Sequence, residues 1–162
     1  MMEVRHVDKI GIVDTTFARF DMGAIAEAEL SHQSGFRKRF EIVRTTVPGI
    51  KDLAVACKRL IERENCSIVL AFGMPGRADL DRQSAQEASL GLMAAQLLTS
   101  TSILQVFVHE TESEDPEELR NIARHRSARH ALNAYWMLYE PKRLRERAGK
   151  GIRQGSADVG PW

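Results

Sequence analysis

The chain is poor in the residues that announce metal and nucleotide chemistry. Cys57 and Cys66 are its only cysteines, and with no C-x-x-C and no paired histidines nothing suggests a zinc site. Both thiols sit in apolar sequence, which reads as free buried cysteines in a reducing cytosol. G-x-G-x-x-G and G-K-[ST] are missing, which disfavours a dinucleotide or a nucleoside triphosphate. No stretch approaches the roughly 20 apolar residues of a membrane span. The N-terminus, M-M-E-V-R-H-V-D-K, has no apolar core like that of a signal peptide. A formal charge of +1 provides no global field toward nucleic acid or membrane. A cytoplasmic protein with neither partner is expected. At 162 residues the chain fits one domain, 1–162, with no internal repeat.

What is present is punctuated apolar strands and amphipathic helices. Ser67–Gln96 sets the pattern: the apolar run Ile68–Phe72, then Gly73-Met74-Pro75-Gly76, then a helix over 84–96 rich in Ala, Leu, Met and Gln. A short uninterrupted apolar run reads as a strand buried on both faces. The glycines allow positive φ or close approach of a ligand, and ligands of such sheets bind at this kind of loop. Lys9–Thr16 reads as the first strand, followed by a loop and a helix that Asp21 caps and that ends near Gln33. Phe40–Val47 is the second strand, stopped by Pro48-Gly49. Asp52–Glu64 is an amphipathic helix, and Ile103–His109 is the fourth strand. Asp115, Pro116 and Glu118 predict an N-cap, a first-turn proline and a capping-box partner for a helix toward Tyr139. Pro141 restarts a short basic helix, and a glycine-rich tail runs from about residue 149. Four strands alternating with helices predict an α/β fold, a parallel sheet in the flavodoxin-like order 2-1-3-4 with helices on both faces. The crevice then lies between strands 1 and 3, where the strand order reverses.

That order gathers the four strand-end loops. Phe17 can stack on a planar ligand or cap the core. Thr15 and Thr16 can bond a polyol or a ring carbonyl, or only tie down the turn. Asp14 suits Mg²⁺, ligand hydroxyls or a turn cap. Met74 and Pro75 make a wall for a flat heteroaromatic, and Arg77 either holds a phosphate or is solvated. His109, beside Glu110, suits general acid/base work or caps the sheet edge. His125 and His130, five residues apart on a helix, diverge by about 140° and cannot form an i, i+4 metal pair. His130 falls on an apolar stripe with Leu119, Ala123 and Ala134, which reads as packing. The 84–96 helix is apolar on two sides, Ala88/Leu92/Ala95 and Leu90/Met93/Ala94/Leu97, which predicts a homo-oligomer.

G-I-V-D-T-T-F-A-R-F-D-M (11–22), T-V-P-G-I-K-D-L-A-V-A-C-K (46–58), G-M-P-G (73–76), E-A-S-L-G-L-M-A-A-Q (87–96), V-F-V-H-E (106–110) and A-G-K-G-I-R-Q-G (148–155) resemble the archaeal type of riboflavin synthase, a family similar to lumazine synthase. The resemblance spans nearly the whole chain. It implies a lumazine synthase-like fold and a transferase of riboflavin biosynthesis. The implied reaction is dismutation of two 6,7-dimethyl-8-ribityllumazine molecules to riboflavin and 5-amino-6-ribitylamino-2,4-pyrimidinedione by transfer of a four-carbon unit. It further implies a homopentamer with sites between subunits and a need for Mg²⁺, with no flavin or nucleotide cofactor; the metal's ligands stay unknown. Carried onto this chain, it places a pteridine against Phe17, with Asp14, Thr15, Thr16, Pro48, Gly49, Ile50 and Lys51 around the ring and ribityl chain. Gly73, Met74 and Pro75 form the opposite wall, and His109 and Glu110 lie near the reacting methyls. Two rival readings are lumazine synthase, which binds a phosphorylated four-carbon sugar, and a non-catalytic flavin or pterin carrier.

Overall fold

A computed structural model describes residues 7–162. Its core is a four-stranded, all-parallel sheet in the order β2-β1-β3-β4, built from β1 (Asp8–Thr15), β2 (Phe40–Val47), β3 (Cys66–Gly73) and β4 (Ile103–Phe107). Alternation along each strand divides the sheet residues between two cores. Ile10, Ile12, Ile68, Leu70 and Phe72 face α1 (Met22–Ser31) and α4 (Pro116–Tyr139). Val13, Val69 and Ala71 face α2 (Leu53–Glu64) and α3 (Asp79–Thr99). The result is the expected three-layer sandwich, a lumazine synthase-like arrangement. A further helix, α5 (Pro141–Arg147), follows α4. No helix among the described residues is long and apolar enough to cross a membrane.

The helix ends sharpen several expectations. Asp21 caps α1 by accepting from the Ala24 N–H at 2.9 Å, and the helix closes at Ser31 rather than Gln33. α3 starts at Asp79, five residues before the expected Ser84, because Asp81 accepts from the Ala78 N–H at 3.1 Å and fixes the first turn. Asp115 and Pro116 open α4 as expected. Glu118 does not complete the capping box: its carboxylate accepts from the Ser113 hydroxyl, which itself accepts from the Asp115 N–H. Ser113 thus relays the contact that a capping box makes directly.

β4 ends at Phe107, two residues before the expected His109. Val108 then donates to the Gly73 carbonyl and Glu110 to the Pro75 carbonyl, each at 3.0 Å. Glu110–Glu112 turns as one 3₁₀ loop, and a second 3₁₀ turn, Ile50–Asp52, precedes α2. His109 and Glu110 therefore leave the alternation of the strand before it can send them to opposite faces.

Candidate active site at the strand ends

All four strands deliver their last residues to one edge of the sheet, and the loops there are tied in two pairs. On one side the Thr16 N–H donates to the Val47 carbonyl at 2.9 Å, and the Thr16 hydroxyl to the Pro48 carbonyl at 3.2 Å. On the other, the backbone bonds of Val108 and Glu110 hold the β3 and β4 loops together. Between the pairs lies the switch point of β1 and β3. It is bridged from loop to loop by Arg19, whose Nη1 stands 3.6 Å from the Glu110 carboxylate.

Gly73 is required here for close approach, not for an unusual backbone angle; neither it nor Gly76 has positive φ. A Cβ on Gly73 would lie 2.8 Å from Ile50 Cγ2 and 2.9 Å from the Phe107 ring. Glycine at this position lets the second and fourth loops pack against the third. Met74 and Pro75 are buried behind it. Met74 backs a small cavity of about 110 Å³ with Phe20, Arg19 and Leu119.

The Phe17 ring is 56% exposed. It caps no core and is free to meet a ligand. Thr15 is 7% exposed, and its hydroxyl has no hydrogen-bond partner although it is buried. It lines a cavity of about 350 Å³ with Asp14, Arg19, Phe20, Arg44 and Thr46. Asp14 is not free. It accepts from Arg44 and, at 2.6 Å, from the Thr46 hydroxyl. Gly49 donates its N–H to Asp52 at 3.0 Å, while Pro48 is exposed and Ile50 buried. Lys51 pairs with Glu87 of α3, and that contact, with a bond from Gln83, holds the Glu87 carboxyl below its usual range.

His109 opens the 3₁₀ turn, and its N–H donates to Glu112 at 2.8 Å. Arg126 of α4 clamps the same loop, donating to the Phe107 carbonyl at 2.7 Å and to both Glu112 oxygens at 2.6–2.7 Å. Burial opposes the charge on Glu112, but Arg126 and the His109 N–H outweigh it and keep the carboxyl below its usual range. Arg126 also donates to the Gln154 carbonyl at 3.3 Å, and the Gly155 N–H to His125 Nδ1 at 2.9 Å, so the tail lies on α4 of its own chain.

Among the described residues no group of three or more His, Cys, Asp or Glu side chains could hold a metal ion. Arg44, Arg126 and Glu112 were missed by sequence reasoning, since nothing local marks them. Arg44 and Arg126 act through partners at least 14 positions away, and Glu112 is held by Arg126 as well as by the nearby His109 N–H; only the fold reveals the long-range partners.

The sheet order and the crevice at its reversal define a doubly wound α/β protein, a class whose ligands bind at the strand ends. A family model described as 6,7-dimethyl-8-ribityllumazine synthase matches residues 8–142. The chain is 55% identical to a riboflavin synthase of Methanothermobacter thermautotrophicus, over 94% of this chain and 98% of the relative. It is 45% identical to one of Archaeoglobus fulgidus (94% and 97%) and 46% identical to one of Aeropyrum pernix (94% and 96%). The chain belongs to the 6,7-dimethyl-8-ribityllumazine synthase family.

Proposed function

We propose that the chain is a riboflavin synthase, converting two 6,7-dimethyl-8-ribityllumazine molecules to riboflavin and 5-amino-6-ribitylamino-2,4-pyrimidinedione. The observation that carries this reading is the 45–55% identity, over nearly full length, to archaeal relatives bearing that name. The lumazine 7-methyl is unusually acidic because its carbanion delocalises into the ring. The protein then needs chiefly to hold two rings in register and to move a proton. Phe17, with its face in solvent, stacks on one ring, and the Pro48–Lys51 segment flanks that ring and its ribityl chain. The unpartnered Thr15 hydroxyl offers a hydrogen bond to the same ligand, and the Gly73–Pro75 loop walls the site. His109 and Glu110 serve proton transfer, with Arg19 released from Glu110 as the ligand enters.

Lumazine synthase is the nearer rival, and it needs a grip on phosphate. The obvious cation, Arg77, is taken: it donates to Glu114 and to the Ser113 carbonyl at 2.9 Å. The site is completed in a homopentamer. Leu90, Met93, Leu97 and Leu98 leave α3 with a continuous exposed apolar face, more than a lone chain would show to water. The Mg²⁺ that the resemblance implies finds no protein cage among the described residues of a single chain, and no step here is routed through it.

Incubation with dimethylribityllumazine tests the reading. Riboflavin and the pyrimidine in equal amounts are expected. Binding without turnover would mean a carrier instead, and consumption of the pyrimidine with a phosphorylated four-carbon sugar would mean lumazine synthase.

A further inference from the structure

A further cavity, of about 430 Å³, opens beside Leu104 near the start of β4, at the other end of that strand from His109. It is bounded by α4, α5 and the first residues of the tail. Its size is that of a pocket for a small organic ligand. Its polar wall is one-sided in charge: Arg129, Arg147, His130 and Asn133 line it, and no carboxylate does. Apart from Gln154 the rest of the wall is apolar or glycine, with Leu144, Ile152 and Trp136 contributing.

These polar groups are unengaged. The side chains of Arg129 and Asn133 make no hydrogen bond or ion pair with the described residues. Arg147 lies 4.6 Å over the Trp136 ring and meets no carboxylate. Nδ1 of His130 is buried and has no partner, an unusual state for a polar atom that burial has stripped of water. The nearby cation Arg126 is committed to Glu112, and Arg143 to Glu140. Two guanidiniums without a carboxylate partner, an orphaned ring nitrogen and a free carboxamide around one apolar-floored cavity match an anion that carries a flat or apolar body.

We propose that this cavity binds a small phosphomonoester, its phosphate held between Arg129 and Arg147 and its body laid against Leu144, Ile152 and the edge of Trp136. The site is separate from the strand-end crevice and stands whether or not the proposed reaction is right. A carboxylate of a second copy of the chain could supply the same negative charge, and the test separates the two.

The assay is histidine carbon-13 NMR of the whole assembly at fixed ionic strength, titrated with phenyl phosphate, inorganic phosphate, phenol and sulfate. Phenyl phosphate is expected to move the His130 signal saturably and to bind roughly tenfold or more tighter than inorganic phosphate or phenol alone. The titration of His130 itself, depressed to about 4 by burial and by Arg126, should rise when the phosphate is bound. Arg129→Gln should weaken phenyl phosphate roughly tenfold or more with unchanged thermal unfolding, and Arg129→Lys should restore part of it. Equal shifts with sulfate and phenyl phosphate, or unaltered binding in Arg129→Gln, would overturn the proposal. So would a His130 signal that responds to protein concentration and to no added anion, the mark of a neighbour's carboxylate in the cavity.

Discussion

Replacing Arg44 by Met isolates the charge cluster behind the Phe17 loop. The Arg44 guanidinium joins three carboxylates from three places in the chain: Asp14 at the end of β1, Asp21 at the cap of α1 and Glu27 within α1. Burial disfavours its charge, but the bonds to Glu27 and Asp14 outweigh that and hold its pKa above the ordinary arginine value. Asp14 decides the magnitude. Its side chain is 9% exposed, against 62% for Asp21 and 39% for Glu27. Stranding a buried carboxylate costs about 3–5 kcal/mol, whereas losing an exposed partner costs about 0–1 kcal/mol. Asp14 keeps the Thr46 hydroxyl, so a total of about 2–3 kcal/mol is expected. For a domain of this size that lowers Tm by roughly 4–12 °C, read by calorimetry at one protein concentration because assembly adds to apparent stability. The companion Arg44→Met/Asp14→Asn removes the stranded charge and should recover most of the loss, a coupling the double-mutant cycle measures directly. A double variant no more stable than Arg44→Met would refute the idea that Asp14's desolvated charge, rather than lost packing, carries the effect.

Gly73→Ala should cost about 1–3 kcal/mol, because its methyl would overlap Ile50 and Phe107; wild-type thermal unfolding would contradict the close-approach argument. Phe17→Ala should weaken dimethylribityllumazine binding by roughly tenfold, while His109→Asn should slow turnover by roughly a hundredfold at most. Loss of all turnover in His109→Asn with binding intact would show that proton transfer, not ring alignment, supplies most of the rate. Leu97→Glu places a charge on a residue 83% exposed in the single chain, and sedimentation should show smaller species; an unchanged assembly would remove that α3 face from the interface. His130 gives a pH signature: its folded pKa of about 4 lies below the ordinary 6.5. The unfolded chain therefore binds more protons between those values, so this contribution is complete above about pH 6.5 and is lost as pH falls toward 4. The slope is at most about 1.4 kcal/mol per pH unit. His130→Leu should flatten that slope in denaturant titrations from pH 4.5 to 7, and an unaltered slope would show that His130 is not buried as neutral imidazole.

The architecture was legible because its signals are local. Strand, breaker and helix alternate within single stretches such as 66–99, and the apolar runs of β1 and β3 leave no choice but a sheet covered on both faces. The double apolar character of α3 was likewise written in its spacing: Ala88, Leu92 and Ala95 are buried while Leu90, Met93 and Leu97 face solvent. The misses share a cause as well. The ending of β4 at Phe107 depends on carbonyls of Gly73 and Pro75, which belong to another strand's loop. The Glu118 capping box was displaced by Ser113, a residue whose hydroxyl could have turned elsewhere. Arg44, Glu112 and Arg126 act at a distance through the fold, and no periodicity in their own segments sets them apart from solvated charges.

The hydrogen bonds at the strand ends also explain why a site for flat rings belongs between β1 and β3. Backbone bonds lock the first loop to the second and the third loop to the fourth, and displacing such bonds leaves backbone donors to be satisfied anew. Across the crevice the link is the Arg19–Glu110 pair, 3.6 Å apart, with the arginine 72% exposed. A pair of that kind contributes about 0–1 kcal/mol, which a ligand displaces at little cost. Ile50 of the second loop also packs on Gly73 of the third, so between the first and fourth loops the Arg19–Glu110 pair is the link a ligand can displace. Under the proposed function Glu110, 13% exposed, exchanges that arginine for the ring. In that proposal, exchange of Arg19 for substrate beside Glu110 changes the carboxylate's surroundings in the step that brings the acidic methyl to it, so ring binding and proton transfer are coupled without movement of the sheet.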